Sequence, residues 1–594
     1  MTSPFSLPLA IALQPQSLMF PLAMGRGVKS SGVRPSLPAP VYGLITATAD
    51  GSTGQKYTLN ASWTDVQWYR MAPASPYALT AIAGATALNY VAQAADEWYR
   101  LAARGKLNGV DVAAKALHVV LPPPIMLENF ESLSGFVATA GAVLTIENAD
   151  VANGSGKLVV EGTGVANTGF TKADIGSYDP ASWGTVAQFF DVGWGPTESA
   201  TIALNFTRGS TSYPSAVSYP LSPLFQTPAP LFYGKMWSSR HISEFGGLDA
   251  VGPGTLGIKQ IMAGASSNHY YGKKSTDALL AKAGGRPTII IGFDDCYDTQ
   301  YSIAFQRMKA LGIVAGCAIA KDYIDQPDRL TTAMYQEMYD NGWDAYLNTT
   351  DDAPLTGKGS IQAALDNLEA NRQFCVSKGW TRGNRFGAIP NGSYQNAATR
   401  PATTMTSTGN NVVTVASATN IVVGMTMAGY GIPADLTVQD VSGTTITLSG
   451  NVPSMNNRGV NFVDLRSPFS YTKLPLAMKA AGHLMYRTTQ NRGGFLTRFG
   501  IGDRGGILTP GNGLSGITLD AIKAMIDLAI LRGETIELYI HGINSSGGVH
   551  TDEAKWNGAL EYIASKRDAG VADPMTKSQV YARDGGASVP KLAA

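Results

Sequence analysis

Thr288-Ile289-Ile290-Ile291-Gly292-Phe293, followed at once by Asp294-Asp295-Cys296, is the stretch on which the fold of this 594-residue chain turns. A short, nearly all-apolar run that begins after Pro287 and ends on two carboxylates fits a strand buried on both faces. The pattern then switches to a helix with Ala304, Met308 and Leu311 on one side, a strand over 312–319, a helix over 331–341 and a strand over 343–347. A long helix over 360–378 keeps Ile361, Leu365, Leu368 and Cys375 together, and a strand over 385–389 follows. After an interruption the alternation resumes with helix 475–481, strand 483–487, helix 518–532, strand 536–541 and helix 551–569. Strands alternating with helices predict βαβ units and a parallel sheet, and this many repeats predict a (β/α) barrel-like domain over 286–594.

Upstream the pattern is that of all-β sandwiches. Residues 41–121 carry Trp63, Val66-Gln67-Trp68-Tyr69-Arg70 and Trp98-Tyr99-Arg100-Leu101 as core signals. This region resembles the immunoglobulin-like modules of viral tail proteins, without the cysteine pair of antibody domains. Pro122-Pro123-Pro124 reads as a stiff linker. Residues 125–283 contain alternating runs such as Lys157-Leu158-Val159-Val160-Glu161 and resemble a jelly-roll carbohydrate-binding module, with Trp183, Trp194 and Tyr213 as exposed-aromatic candidates. The interruption at 400–469 is itself β-patterned, with Ser442-Gly443 as a two-residue turn, and resembles a small β module recurrent in phage tail proteins. Residues 1–40 are apolar-rich but broken by Pro4, Pro8, Pro15 and Pro21. They read as an extended assembly segment, neither export signal nor membrane helix.

Composition narrows the function classes. Hydrophobic residues at 44% and charged residues at 15% exclude long disorder and coiled coil. Lys+Arg 45 against Asp+Glu 44 argues against a nucleic-acid partner or an anionic membrane. Cys296, Cys317 and Cys375 are too scattered for a disulfide framework or a thiolate zinc site. Abundant Gly, Ser, Thr and Asn fits a neutral, hydroxyl-rich partner such as a glycan.

In a parallel barrel the chemistry sits at the carboxyl ends of the strands. Those ends read Asp294-Asp295-Cys296, Asn348-Thr349-Thr350-Asp351-Asp352, Pro390-Asn391-Gly392-Ser393-Tyr394, Arg487-Thr488-Thr489 and His541-Gly542. Two adjacent carboxylates are costly unless a cation or a proton neutralises one of them. The plain alternative is an Asp cap on the next helix, near Asp298 and Thr299. His541, directly after Leu538-Tyr539-Ile540, is expected to face the same rim. Cys296 reads as a buried, inert thiol and His550 as solvent-exposed.

These residues resemble the NodB-type polysaccharide deacetylases. Phe293-Asp294-Asp295-Cys296 matches the family's Phe-Asp-Asp-Gly motif except at its last position. Residues 342–352 have the spacing of its second motif, Pro390 to Tyr394 looks like its proline–tyrosine loop, and Leu538-Tyr539-Ile540-His541 is similar to its leucine–histidine motif. The resemblance spans about 286–582 without the inserted module. It implies hydrolysis of acetyl groups on a polysaccharide by a metal-bound water. By position, Asp294 would be the general base, His541 the general acid, Asp295 a metal ligand, and a backbone N–H near Tyr394 the oxyanion donor. The family's two histidine ligands are replaced by Asn348 and Asp352, which favours a hard divalent ion over zinc, or loss of metal and catalysis. The arginine that precedes the family's proline loop is also missing, and Arg487 is the candidate to orient Asp294 instead.

The expected protein is therefore a phage tail fibre or tailspike-like virion component that recognises and deacetylates a bacterial surface polysaccharide. Its 1–40 segment would meet other tail proteins, and a homotrimer follows from the tail analogy. The rival expectation is a catalytically inactive barrel used as a glycan-binding receptor-recognition scaffold. A secreted bacterial deacetylase is a third, for which this N-terminus offers no export signal.

Overall fold

The computed structural model describes residues 45–584 apart from several segments, the longest being 48–53, 192–202, 215–234, 262–270, 394–400, 490–494, 499–507 and 545–549. Strands Ile45–Ala47, Lys56–Leu59 and Asn89–Val91 form one sheet, and Leu79–Ala81, Trp63–Met71, Arg100–Leu107 and Val110–Val119 form another. Their shared core holds Tyr57, Trp68, Leu101 and Ala103, and the Trp68 indole donates to Ala87 O at 2.8 Å. Trp98 and Tyr99, expected in this core, are 52% and 38% exposed. Trp98 has φ +68°, so the chain is still turning there, and burial begins only at Arg100.

The next sandwich packs two antiparallel sheets. One contains Ile125–Glu128, Val143–Glu147, Lys157–Thr163, Thr185–Asp191, Lys235–His241 and Tyr271–Ala281. The other contains Phe136–Thr139, Gly169–Tyr178, Ala203–Arg208, Thr211–Pro214 and Gly254–Ile261. Trp183 is not an exposed aromatic but a core residue, 1% accessible, with its ring 5.7 Å from Tyr178 and 5.3 Å from Phe206. It follows a 3-10 turn, Pro180–Ser182, which aims it into the sandwich. Tyr213 is half-buried against the same core, and Trp194 lies outside the described residues.

The inserted module forms a six-stranded sheet of its own, between Ala402–Ser407 and Met455–Val463, over a core of Met405, Met425, Ile446 and Phe462. Its hairpin pairs Ser442 with Thr445, so the turn is Gly443-Thr444, one residue later than expected. Gly443 takes the positive φ that such a turn needs.

The remaining unit is a curled parallel sheet with helices outside it. Its main parallel strands are β1 (Thr288–Phe293), β2 (Gly316–Ile319), β3 (Asp344–Leu347), β4 (Gly387–Ala388), β5 (Tyr486–Arg487), β6 (Leu508–Thr509), β7 (Asn512–Gly513) and β8 (Thr535–Ile540); Phe495–Leu496 adds an antiparallel pair on β8, and Asp573–Pro574 a parallel one at the start of β1. The order is β8-β1-β2-β3-β4-β5-β6, and β7 pairs with β8, so the segment 508–513 touches both ends of the curl. Helices α1 (Gln306–Leu311), α2 (Thr332–Asp340), α3 (Ile361–Ser377), α4 (Lys473–Ala480), α5 (Leu519–Arg532), α6 (Glu553–Asp568) and α7 (Lys577–Asp584) complete it. Several strands are shorter than the pattern predicts. Gly312, at φ +64°, caps α1, and the chain joins the sheet only at Gly316. At Gly316 and Gly387 a Cβ would lie 2.1 and 2.2 Å from the rings of Tyr346 and Tyr486, so glycine makes room for Tyr346 inside the curl and for Tyr486 between the sheet and its helices.

Both sandwiches meet this unit at the amino ends of its strands. Arg100 pairs with Asp573 at 2.9 Å, and Asp573 lies beside Thr288 at the start of β1. Ser239 donates to Glu534, and Glu244 pairs with Arg532 at 2.7 Å, both just before β8. These contacts lie at the opposite end of the sheet from the carboxyl-terminal mouth.

Candidate active site at the mouth of the curled sheet

β1 and β8 pair in register from Thr288–Thr535 to Phe293–Ile540, so Asp294 and His541 leave the sheet at the same level. His541 Nε2 lies 3.8 Å from Asp294 Oδ2 and 3.9 Å from Asp295 Oδ2. Burial weakens the imidazole's hold on a proton, opposed by the charge of Asp294. The Gln300 side chain donates to both Asp294 O and His541 O, at 2.5 and 2.7 Å, and ties the two strand ends together. Asn371 does the same from α3, donating to Ile319 O and Asn348 O at the ends of β2 and β3. Neither clamp was foreseen: a buried amide that serves backbone carbonyls leaves no periodic trace in a sequence.

Arg487, at the end of β5, is 2% exposed, and its Nη2 reaches both Asp294 oxygens at 2.6 and 2.5 Å. The guanidinium lies 3.8 Å from the centre of the Tyr539 ring, and its Nε is 3.5 Å from Glu537 Oε1. Lys577 Nζ, fully buried, closes the line 2.9 Å from the same Glu537 oxygen. Burial pushes the Glu537 carboxyl up against the pull of Lys577 and Arg487, and pushes the Lys577 ammonium down. Asp294, Arg487, Glu537 and Lys577 thus form a line of alternating charges running from the mouth into the sheet interior.

Asp295 and Cys296 both adopt positive φ, +65° and +55°. Cys296 is fully buried, its Sγ against Ala318 O, as expected of an inert thiol. Asp295 and Asp352 lie close enough for each to shift the other's ionisation. Burial first, and then the charges of Asp294 and Asp352, lift the Asp295 carboxyl far above the ordinary range; burial lifts Asp352 as well. Asn348 Nδ2 donates to Asp352 Oδ1 at 2.7 Å, while its own Oδ1 accepts the Thr349 N–H at 2.7 Å. That second bond fixes the amide orientation, so Asn348 turns its N–H, not its carbonyl, toward Asp352. A metal needs lone pairs aimed inward, and Asn348 does not offer one, because its N–H faces Asp352 and its carbonyl is used on the Thr349 N–H.

Of the residues expected at the site, Asp294, Asp295, Asn348, Asp352, Arg487 and His541 come together at the mouth, and Tyr394 lies outside the described residues. His550, expected in solvent, is half-buried: its Nδ1 accepts the Gly542 N–H at 3.1 Å and its ring meets Tyr297 edge-on. Arg329 was also missed; it donates to Asp295 O at 2.6 Å from the loop after β2.

No family model matches the chain, and no curated protein matches it. Among solved structures, the Streptococcus pyogenes deacetylase PplD in complex with acetate aligns at 17% identity and TM-score 0.17, over 18% of this chain and 48% of that one. The chain thus spans about half the length of that deacetylase. The family 11 carbohydrate-binding module from Clostridium thermocellum, in complex with a mixed-linked tetrasaccharide, aligns at 14% identity and TM-score 0.18, over 27% and 94%. A carbohydrate-binding module of the β-sandwich superfamily aligns at 12% identity and TM-score 0.22, over 40% and 98%. At TM-scores this low the likenesses decide neither fold nor activity.

Proposed function

We propose that the mouth of the curled sheet hydrolyses acetyl groups on a bacterial surface polysaccharide, and that the chain is a tail-fibre or tailspike-like protein built from the four units read in its sequence. The single observation that carries the chemistry is the meeting of Asp294, Asp295 and His541 at one level, with Arg487 gripping both oxygens of Asp294. Asp294 takes a proton from water as that water attacks the acetyl carbonyl. His541 Nε2 hands a proton to the departing sugar oxygen or nitrogen, a transfer eased by the burial that weakens its hold. Arg487 and the Gln300 clamp fix the base and the acid relative to each other.

The test is acetate release from acetylated host polysaccharide by the full chain, beside Asp294→Asn and His541→Gln. Release by the wild type that both changes abolish supports the reading. Binding without release favours the second reading, a non-catalytic glycan receptor. The orientation of the Asn348 amide favours that second reading.

A further inference from the structure

Beside Asp295 the mouth carries a stack of four side chains. His550 meets Tyr297 edge-on with ring centres 5.0 Å apart. The Arg329 guanidinium lies 4.0 Å from the Tyr297 ring centre and 4.3 Å from that of Tyr323. An arginine between two aromatic rings is fixed in plane and shows its edge outward. One nitrogen of that edge, Nη1, is used on Asp295 O. The other two, Nε and Nη2, meet no protein partner among the described residues and are not sealed from solvent. Of the nearby carboxylates, Asp294 is held by Arg487, Asp325 by Thr332 and Asp322 by Lys321, while Asp295 feels the charge of Arg329 without coming within ion-pair distance of it.

Pinning the loop after β2 needs only the ring contacts and the one bond to Asp295 O. A rigid guanidinium edge left over, with no carboxylate paired to it among the described residues, matches the planar fork of a carboxylate. Tyr323 is half-buried beside it, and a tyrosine ring offers an apolar face to a sugar ring.

We propose that Arg329, held between Tyr297 and Tyr323, is a subsite for a carboxylate on the sugar beside the one that reacts, so that the substrate is an acidic, uronate-bearing polysaccharide. This rests on the reading of the mouth as a glycan site. The experiment prints acidic bacterial surface polysaccharides next to their carboxyl-reduced, neutral forms and probes them with the full chain, Arg329→Gln and Arg329→Lys. The expected result is binding to at least one acidic glycan, weakened about tenfold or more by carboxyl reduction. Arg329→Gln should bind both forms equally weakly, and Arg329→Lys should keep part of the preference. Carboxyl reduction changes only the glycan, so its result stands whether or not the variants fold. Equal binding of acidic and reduced forms by the wild type, or an undiminished preference in a folded Arg329→Gln, overturns the carboxylate subsite and leaves the glycan reading intact. No binding to any glycan sinks both.

Discussion

Replacing Lys577 by methionine removes one end of the buried line Asp294–Arg487–Glu537–Lys577 and leaves it with a net negative charge away from water. Lys577 is fully buried, 2.9 Å from Glu537 Oε1, and also donates to Gly387 O at 2.7 Å. At an effective dielectric of about 20, the lost attraction to Glu537 is about 6 kcal/mol. Against this, the ammonium no longer has to be dehydrated, and Arg487 still faces Glu537 at 3.5 Å. Breaking one side of a buried pair costs about 3–5 kcal/mol, and Lys577→Met should fall in that range. Adding Glu537→Gln removes the stranded charge, so the double variant should recover to within about 1–2 kcal/mol of the wild type. Several units unfold in this chain, so one melting temperature does not isolate the effect. Amide hydrogen exchange over β8 and α7 does. Arg487, drawn toward an unmatched Glu537, should also loosen on Asp294, lowering kcat for acetate release while KM holds. A single variant that loses less than about 1 kcal/mol, or a double variant no better than the single, refutes the idea that these charges depend on one another.

The other predictions concern the acid, the metal and the docking of the first sandwich. His541→Gln should cut acetate release by about 10²–10⁴-fold without weakening glycan binding; an equal loss of binding would assign His541 to recognition instead. Asn348→His together with Asp352→His supplies the two imidazoles that the resemblance calls for, and should raise the zinc content measured in the purified protein above that of the wild type. Unchanged zinc content would show that the mouth cannot shape a tetrahedral site. At the other end of the sheet, burial pushes the Asp573 carboxyl up, but Arg100 and Arg286 outweigh it and hold it below the usual range. A carboxyl depressed in the folded state stabilises fully above its unfolded value of about 3.9, and that support fades as pH falls toward the folded value. Asp573→Asn should therefore lose stability at neutral pH and show a shallower decline below about pH 4 in denaturant titrations. A parallel decline in both proteins would count against the pairing.

The legible part of the sequence is the part in which burial repeats. A strand covered on both faces reads as an apolar run, which is why β1 and β8 stand out, and α3 starts within a residue of its pattern because Ser360 accepts the Ala363 N–H. β4 and β5 pair over only two residues of the 385–389 and 483–487 strands read in the sequence, and β6 and β7, two residues each, have no period to read. Trp98 was expected in the core and lies exposed, and Trp183, a candidate for exposure whose plain alternative was the core, is buried, because hydrophobicity alone does not say which way a turn aims a ring. Lys577 and Glu537 do not stand out in the sequence, since nothing local signals that each is buried against the other. The convergence of Asp294, Asp295 and His541 was readable because strand ends can be lined up by position. The turn of the Asn348 amide, which decides what Asp352 meets, depends on one backbone N–H and was not readable.

The backbone at the mouth is held in conformations it would otherwise leave. Asp295, Cys296 and Asp352 all sit at positive φ, and a side chain in that region costs about 1–2 kcal/mol per residue. Such strain persists only where the surroundings over-determine it. Here they do: Asp295 O accepts from Arg329, Cys296 O from the Leu330 N–H, and Asp294 O and His541 O from Gln300. The carbonyls at these strand ends are tied by donors reaching in from outside the strands, and the ties turn the carboxylates toward one another instead of letting them spread into water. A fold selected only for stability would release the turn or separate Asp295 from Asp352, because burial and the neighbouring charges make both carboxyls harder to ionise where they stand. The sandwiches dock at the far end of the sheet and do not brace the mouth through the contacts described. Strain, crowded acids and a clamped backbone therefore coincide at the end of the sheet where the residues following β1, β3, β5 and β8 converge, which supports the proposal that the mouth is a working site.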